Sequence, residues 1–81
     1  MQFVYILESE ADPGRFYIGT TTDPKRRLNE HNSGKSLHTN KHKHKPWTLS
    51  VCIGFADRAK ALRFERYLKS GSGRAFAKKH F

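Results

Sequence analysis

The sequence predicts an α/β domain: a three-stranded antiparallel sheet flanked by three helices. Three observations carry that prediction. Residues 3–7, Phe-Val-Tyr-Ile-Leu, and residues 15–19, ending in Phe-Tyr-Ile-Gly, are extended segments joined by the turn chemistry of Asp12-Pro13-Gly14. Residues 47–55 alternate Trp47, Leu49, Val51, Ile53 and Phe55 with Thr48, Ser50, Cys52 and Gly54, which is the period of a strand. Asp23-Pro24 and Asp57 each head a stretch of helical period, where an aspartate accepts hydrogen bonds from the first free backbone N–H groups.

Each element follows from local chemistry. The first strand, expected over residues 2–8, is apolar at both alternating parities, so both its faces need cover and it belongs in the middle of the sheet. The second, over 15–20, returns antiparallel and brings Tyr17 near Tyr5. The first helix, over 24–33, opens on Asp23 with Pro24 at its first position and stops at Gly34, suited to a left-handed C-cap. Residues 35–46, KSLHTNKHKHKP, have neither period and hold Lys35, Lys41, Lys43 and Lys45 with three histidines, so they read as a solvated basic loop. The third strand, over 47–55, turns one face to the core and a small or polar face away from it. The second helix, over 58–70, ends at Gly71, and Ser72 caps a last helix over 73–81.

One hydrophobic core uses most of the apolar residues that 81 residues provide, so a single domain over residues 1–81 is expected. No apolar run is long enough for a membrane span or a secretory signal, and the expected location is the cytoplasm. Cys52, the single cysteine, agrees with a reducing compartment and excludes a cysteine-rich metal site. The net charge of +9, from 16 Lys and Arg against 7 Asp and Glu, points to a polyanionic partner, nucleic acid first. Neither a membrane nor an obligate protein partner is indicated. His42 and His44 lie two apart with no Cys or carboxylate nearby to complete a metal site, so phosphate contact is the better use of the basic loop.

The chemistry concentrates in residues 16–31, FYIGTTTDPKRRLNEH. Arg27 and His31 are four apart on the first helix and therefore share a face, next to the end of the strand that carries Tyr17. A phenol, a guanidinium and an imidazole converge there. Each also has a plainer reading: Tyr5 and Tyr17 as strand aromatics, Gly19 as a strand terminator, Arg27 and His31 as solvated groups or partners of Glu30, with Arg26 the rival to Arg27. In the second helix Ala61, Leu62, Phe64 and Leu68 mark the apolar face, and Glu65 falls within that arc. A carboxylate so placed needs a cation, whether an arginine, a lysine or a bound metal ion, and a buried ion pair with Arg27 or another base is the structural alternative.

In this order, Val4-Tyr5-Ile6, Tyr17-Ile18-Gly19, Arg27, His31 and a helical Glu65 resemble the GIY-YIG nuclease superfamily, in particular its small stand-alone bacterial members similar to the N-terminal domain of excinuclease C. The resemblance covers nearly the whole chain. It departs from the family pattern at Phe3-Val4, where Gly-Ile would precede Tyr5, and after Glu65, where Ser70-Gly71-Ser72-Gly73 holds no Asn. What the resemblance implies is divalent-metal-dependent endonuclease activity on nucleic-acid phosphodiesters, DNA before RNA. Glu65 would hold Mg2+ or Mn2+, and Arg27 would bind the scissile phosphate. Tyr5 and Tyr17 would border the attacking water, one of them as general base with its pKa lowered by the metal and Arg27. His31 would orient or deprotonate a tyrosine. Arg26, with Lys35, Lys41, Lys43 and Lys45, would contact the nucleic-acid backbone. The missing Asn leaves a second reading, a nucleic-acid-binding module of the same fold that cuts slowly or not at all.

Overall fold

The computed structural model describes residues 1–34 and 44–81. Chain order is β1 (Gln2–Ser9), β2 (Phe16–Thr21), α1 (Pro24–Ser33), β3 (Trp47–Phe55), α2 (Arg58–Leu68) and α3 (Gly71–His80). The sheet runs β2-β1-β3 and both pairings are antiparallel. β1 takes the centre because its two faces are apolar: Val4, Tyr5, Ile6 and Leu7 are all buried. Its even-numbered side chains, Val4 and Ile6, pack with Ala61 and Leu68 of α2 and with Phe76 and Ala77 of α3. Its odd-numbered ones, Tyr5 and Leu7, pack with Trp47, Tyr17 and Leu28 beneath α1. Burying each such large side chain contributes about 1.5–3 kcal/mol.

β3 does not turn one face to the core along its whole length, as its alternation suggests. Ile6 pairs with Val51 but Leu7 pairs with Leu49, so a bulge inserts Ser50 and reverses the parity of everything beyond it. Trp47 consequently lies with Tyr5 and Leu7 under α1, while Val51 and Phe55 join the cluster under α2 and α3. One apolar alternation thus serves two cores.

The helix ends follow their capping chemistry, with one correction. Asp23 accepts from the backbone N–H of Arg26 at 3.1 Å, Asp57 accepts from that of Ala59 at 2.8 Å, and Gly34 closes α1 in the left-handed region at φ 83°. The cap of α3, however, is Ser70 and not Ser72: its hydroxyl accepts from the N–H of Gly73 at 3.1 Å. α2 therefore ends at Leu68, and the two helices meet at a sharp corner. Gly73 makes the corner possible, since a Cβ there would overlap the backbone carbonyl of Tyr67.

The end of the basic segment is built into the fold instead of solvated. His44 is buried against Trp47, its carbonyl accepts from the Ser9 hydroxyl at 2.6 Å, and its ring lies 3.3 Å from an Arg15 nitrogen. Asn32, at the end of α1, holds the same region by pairing with the backbone of Trp47, accepting from its N–H at 2.6 Å and donating to its carbonyl at 3.0 Å. Lys45 is half-buried, and Lys35, Lys41, Lys43 and His42 lie outside the described residues. No helix among the described residues is long and apolar enough to cross a membrane.

Candidate active site

Tyr5 of β1 and Gly19 of β2 stand directly opposite one another, so both face α1. A Cβ on Gly19 would lie 2.6 Å from the Tyr5 hydroxyl, 2.8 Å from its Cζ and 3.1 Å from Cε1 of Tyr17. The missing side chain is the space the Tyr5 ring occupies. Gly19 is therefore more than a strand terminator. Lying across β2, Tyr5 brings its hydroxyl to 2.9 Å from Nε2 of His31, which is fully buried. Tyr17, two residues before Gly19, points to the same face, with its ring centroid 4.8 Å from His31 and 6.3 Å from Tyr5.

Arg27, one turn before His31, acts on Tyr5 through its charge and a hydrogen bond. The same guanidinium donates to Glu30 at 2.8 Å, and Arg26 donates to the other Glu30 oxygen at 2.7 Å. Arg27 thus pairs with Glu30 and not with Glu65. Burial works against the charge of Arg27, but the Glu30 hydrogen bond and the Tyr5 hydroxyl outweigh it and its pKa is raised. Hydrogen bonding to Arg27 holds the Glu30 carboxyl below its ordinary value.

The tyrosine pKa departs from the sequence expectation. Burial, reinforced by Tyr17 and by the charge of Glu65, pushes the Tyr5 phenol up to about 12 despite the opposing pull of Arg27. Desolvation of a phenolate outweighs one nearby cation. Tyr5 is accordingly a neutral phenol at physiological pH, with His31 in place to exchange a proton with it.

Glu65 projects from α2 with its side chain about one-fifth exposed (21 %), and its cation is Lys69 one turn on, at 3.1 Å. The desolvated carboxylate expected from the helical wheel is therefore partly solvated. No group of three or more His, Cys, Asp or Glu gathers among the described residues. A lone carboxylate whose charge reaches the Tyr5 hydroxyl fits a hard, hydrated cation such as Mg2+ or Mn2+, which takes few protein oxygens, and does not fit zinc.

Beside these groups a cleft of about 530 Å3 is lined by Thr20, Thr22, Arg26, Arg27 and Arg58, among others. Arg58 had no signal in the sequence, because only the fold brings the first turn of α2 beside α1. Lys69 was findable, four residues after Glu65 on one helix.

A family model of the GIY-YIG catalytic domain matches residues 1–79. The chain belongs to the GIY-YIG catalytic-domain family. Its relatives include a structure-specific endonuclease subunit SLX1 from Candida dubliniensis, 48% identical over an alignment of 71 residues, with 82% of this chain and 25% of that protein covered. Another is the SLX1 homolog of Cryptosporidium parvum, 43% identical over an alignment of 67 residues, with 80% of this chain and 16% of that protein covered. The chain thus spans a quarter or less of the length of these relatives. A UPF0213 protein from Bacillus halodurans, solved by NMR, shares the three-dimensional fold at a TM-score of 0.56 and 35% identity, covering 96% of this chain and 81% of that one. These SLX1 relatives are eukaryotic, so a specific likeness to bacterial excinuclease C rests on the motif residues alone. This GIY-YIG domain also accommodates Phe3 where the family name has Gly, because the residue opposite it in β3 is Gly54, whose absent side chain leaves room for the Phe3 ring.

Proposed function

We propose that this GIY-YIG domain is a divalent-metal-dependent endonuclease that hydrolyses phosphodiester bonds in nucleic acid, DNA before RNA. One observation carries the reading: the Tyr5 hydroxyl, placed by Gly19, is hydrogen-bonded to the buried His31 while the charges of Arg27 and Glu65 both act on it. Its SLX1 relatives are named structure-specific endonuclease subunits, in agreement with that chemistry. Because those proteins are called subunits and are far longer, a protein partner belongs to the proposal. The sequence expectation of none is not retained. The free thiol of Cys52 suits a reducing, cytoplasmic compartment.

A phenol with a pKa near 12 cannot itself take a proton from water at neutral pH. The geometry supplies a relay: Tyr5 Oη accepts a proton from the attacking water as it passes its own to Nε2 of His31. The resulting hydroxide attacks phosphorus and displaces the leaving oxygen. Arg27 leaves Glu30 for the scissile phosphate and stabilises the charge that grows on its oxygens. Glu65 would hold Mg2+ or Mn2+, which when bound supplies further stabilisation of that charge. Tyr17, packed on His31, limits water access to the relay and borders the nucleophile. The binding-module alternative keeps one observation in its favour, the absence of an Asn in residues 70–73.

The test is cleavage of labelled single-stranded, duplex and branched substrates with Mg2+, Mn2+ or EDTA, by wild type and Glu65→Gln. Cleavage that needs metal and falls by orders of magnitude in Glu65→Gln supports the proposal. Because Glu65 is partly solvated and its partner Lys69 is exposed, the variant should lose about 1 kcal/mol of stability or less. Metal-dependent cleavage that survives in Glu65→Gln would remove Glu65 from the site, and no cleavage by wild type with either metal leaves the binding module.

A further inference from the structure

A broad concavity of the described residues meets the candidate site at Tyr17, and most of its lining carries no assigned role. It is a groove of about 930 Å3, at the large end of ordinary ligand sites of ~300–1,000 Å3. Its floor is apolar, with Ile18, Val51 and Ala77, and it includes two aromatic rings that the fold leaves open, Phe16 and Phe81, which are 52% and 48% exposed. Arg15, Lys69, Arg74 and Lys78 line it as well and no Asp or Glu does, while Lys69 pairs with Glu65 at 3.1 Å and Arg15 lies 3.9 Å from Asp12 outside the lining. All four cations are exposed.

We propose that this groove, between the β1–β2 turn and α3, binds a single-stranded segment of nucleic acid. Its unpaired bases lie on Phe16 and Phe81, and its phosphates meet Arg15, Arg74 and Lys78. This deepens the endonuclease reading and rests on it for the claim that the bound strand is substrate. Two features of the groove select the ligand. A lining with no Asp or Glu that offers Arg74 and Lys78, with Arg15 and Lys69 only partly offset by Asp12 and Glu65, complements a polyanion, while open aromatic rings on an apolar floor accept base faces, a combination that duplex DNA, with its bases stacked inside, cannot use. Position selects it too. Tyr17 and Lys69 both line the groove, and they are neighbours of His31 and Glu65, so a strand seated there continues to the candidate catalytic groups. The groove thus gives the domain a means to distinguish a duplex bearing an unpaired arm from a plain one.

The test measures binding by fluorescence anisotropy, in EDTA and at one fixed salt concentration, for a blunt duplex and for the same duplex with an unpaired arm. The probes are labelled DNA oligonucleotides, with a second arm of the same sequence in ribonucleotides to separate the two nucleic acids. Wild type should bind one or both armed duplexes about tenfold more tightly than the blunt one, the worth of a stacked base. Phe16→Ser, which changes no charge, and Arg74→Gln, at an exposed helix position, should each remove most of that preference. Circular dichroism confirms that each variant is folded, and Arg74→Gln decides the matter if Phe16→Ser is not. Equal wild-type affinity for blunt and armed duplexes overturns the assignment and returns the groove to a protein partner. So does an armed-duplex preference that survives both substitutions. If the preference exists and falls as expected while no metal supports cleavage, the groove stands and only the endonuclease reading fails.

Discussion

Replacing Gly19 by alanine isolates the contact on which the candidate site depends. The backbone at this position is ordinary, so the alanine methyl meets no conformational penalty, only a lack of space. It would sit 2.6 Å from the Tyr5 hydroxyl where ordinary contact begins at 3.4 Å, so the ring must retreat by about 0.8 Å. Overpacking of this kind costs about 1–3 kcal/mol. Retreat also breaks the 2.9 Å bond to His31, and a fully buried imidazole left without that partner adds about 1–3 kcal/mol. A net loss of about 3 kcal/mol is expected, each kcal/mol lowering the melting temperature by ~4–8 °C in a domain of this size. Cleavage per folded molecule should fall by about 10²-fold, the usual result of displacing a reacting group by ~1 Å. Thermal unfolding and single-turnover cleavage, both measured below the new melting temperature, check the two figures. A Gly19→Ala protein that melts within about 2 °C of wild type and cuts at an undiminished rate would refute the reasoning, because the Tyr5 ring would then have room that the structure denies it.

Other consequences can be measured separately. Tyr5 is raised to about 12 mainly by burial, so it should appear in an ultraviolet titration as a late phenolate that Tyr5→Phe removes. Since the folded value lies above the unfolded value of ~10, the stability it contributes is complete below pH ~10 and is lost as pH rises through about 12, on the order of 2–3 kcal/mol in all. Wild type and Tyr5→Phe should differ by a constant offset below that window, from the lost His31 bond, and only wild type should lose further stability across it. Gly73→Ala should destabilise by about 1–3 kcal/mol or more through the clash with the Tyr67 carbonyl, seen as a lower urea midpoint, while a midpoint equal to wild type would show that the α2–α3 corner can open. Nucleic-acid affinity should fall steeply with salt, log K against log salt having a slope of about −0.9 for each phosphate neutralised, and a flat dependence would exclude the backbone contacts assigned to Arg26 and Lys45.

Local chemistry determined a large share of this GIY-YIG domain. The three strands, the antiparallel hairpin, the Asp23 and Asp57 caps and the Gly34 terminator all depend on residues within a few positions of one another, and all lie where the sequence places them. The central position of β1 was legible as well, because a strand apolar on both sides can be satisfied only between neighbours. The helical period likewise brought Arg27 and His31 to one face.

What only the tertiary structure decided involves space and desolvation, which no short window of sequence contains. The Ser50 bulge is invisible in the alternation of residues 47–55, since an inserted residue reverses the faces without disturbing the pattern. Glu30 for Arg27 and Lys69 for Glu65 were local options on their own helices, but that they prevail over an Arg27–Glu65 pair is decided only by the fold. The corner at Gly73 and the burial of His44 follow from close approaches between segments distant along the chain. The Tyr5 pKa moved against expectation for the same reason. A nearby cation could be read from the sequence, but the loss of water around the phenol depends on everything packed above it, and that term is the larger.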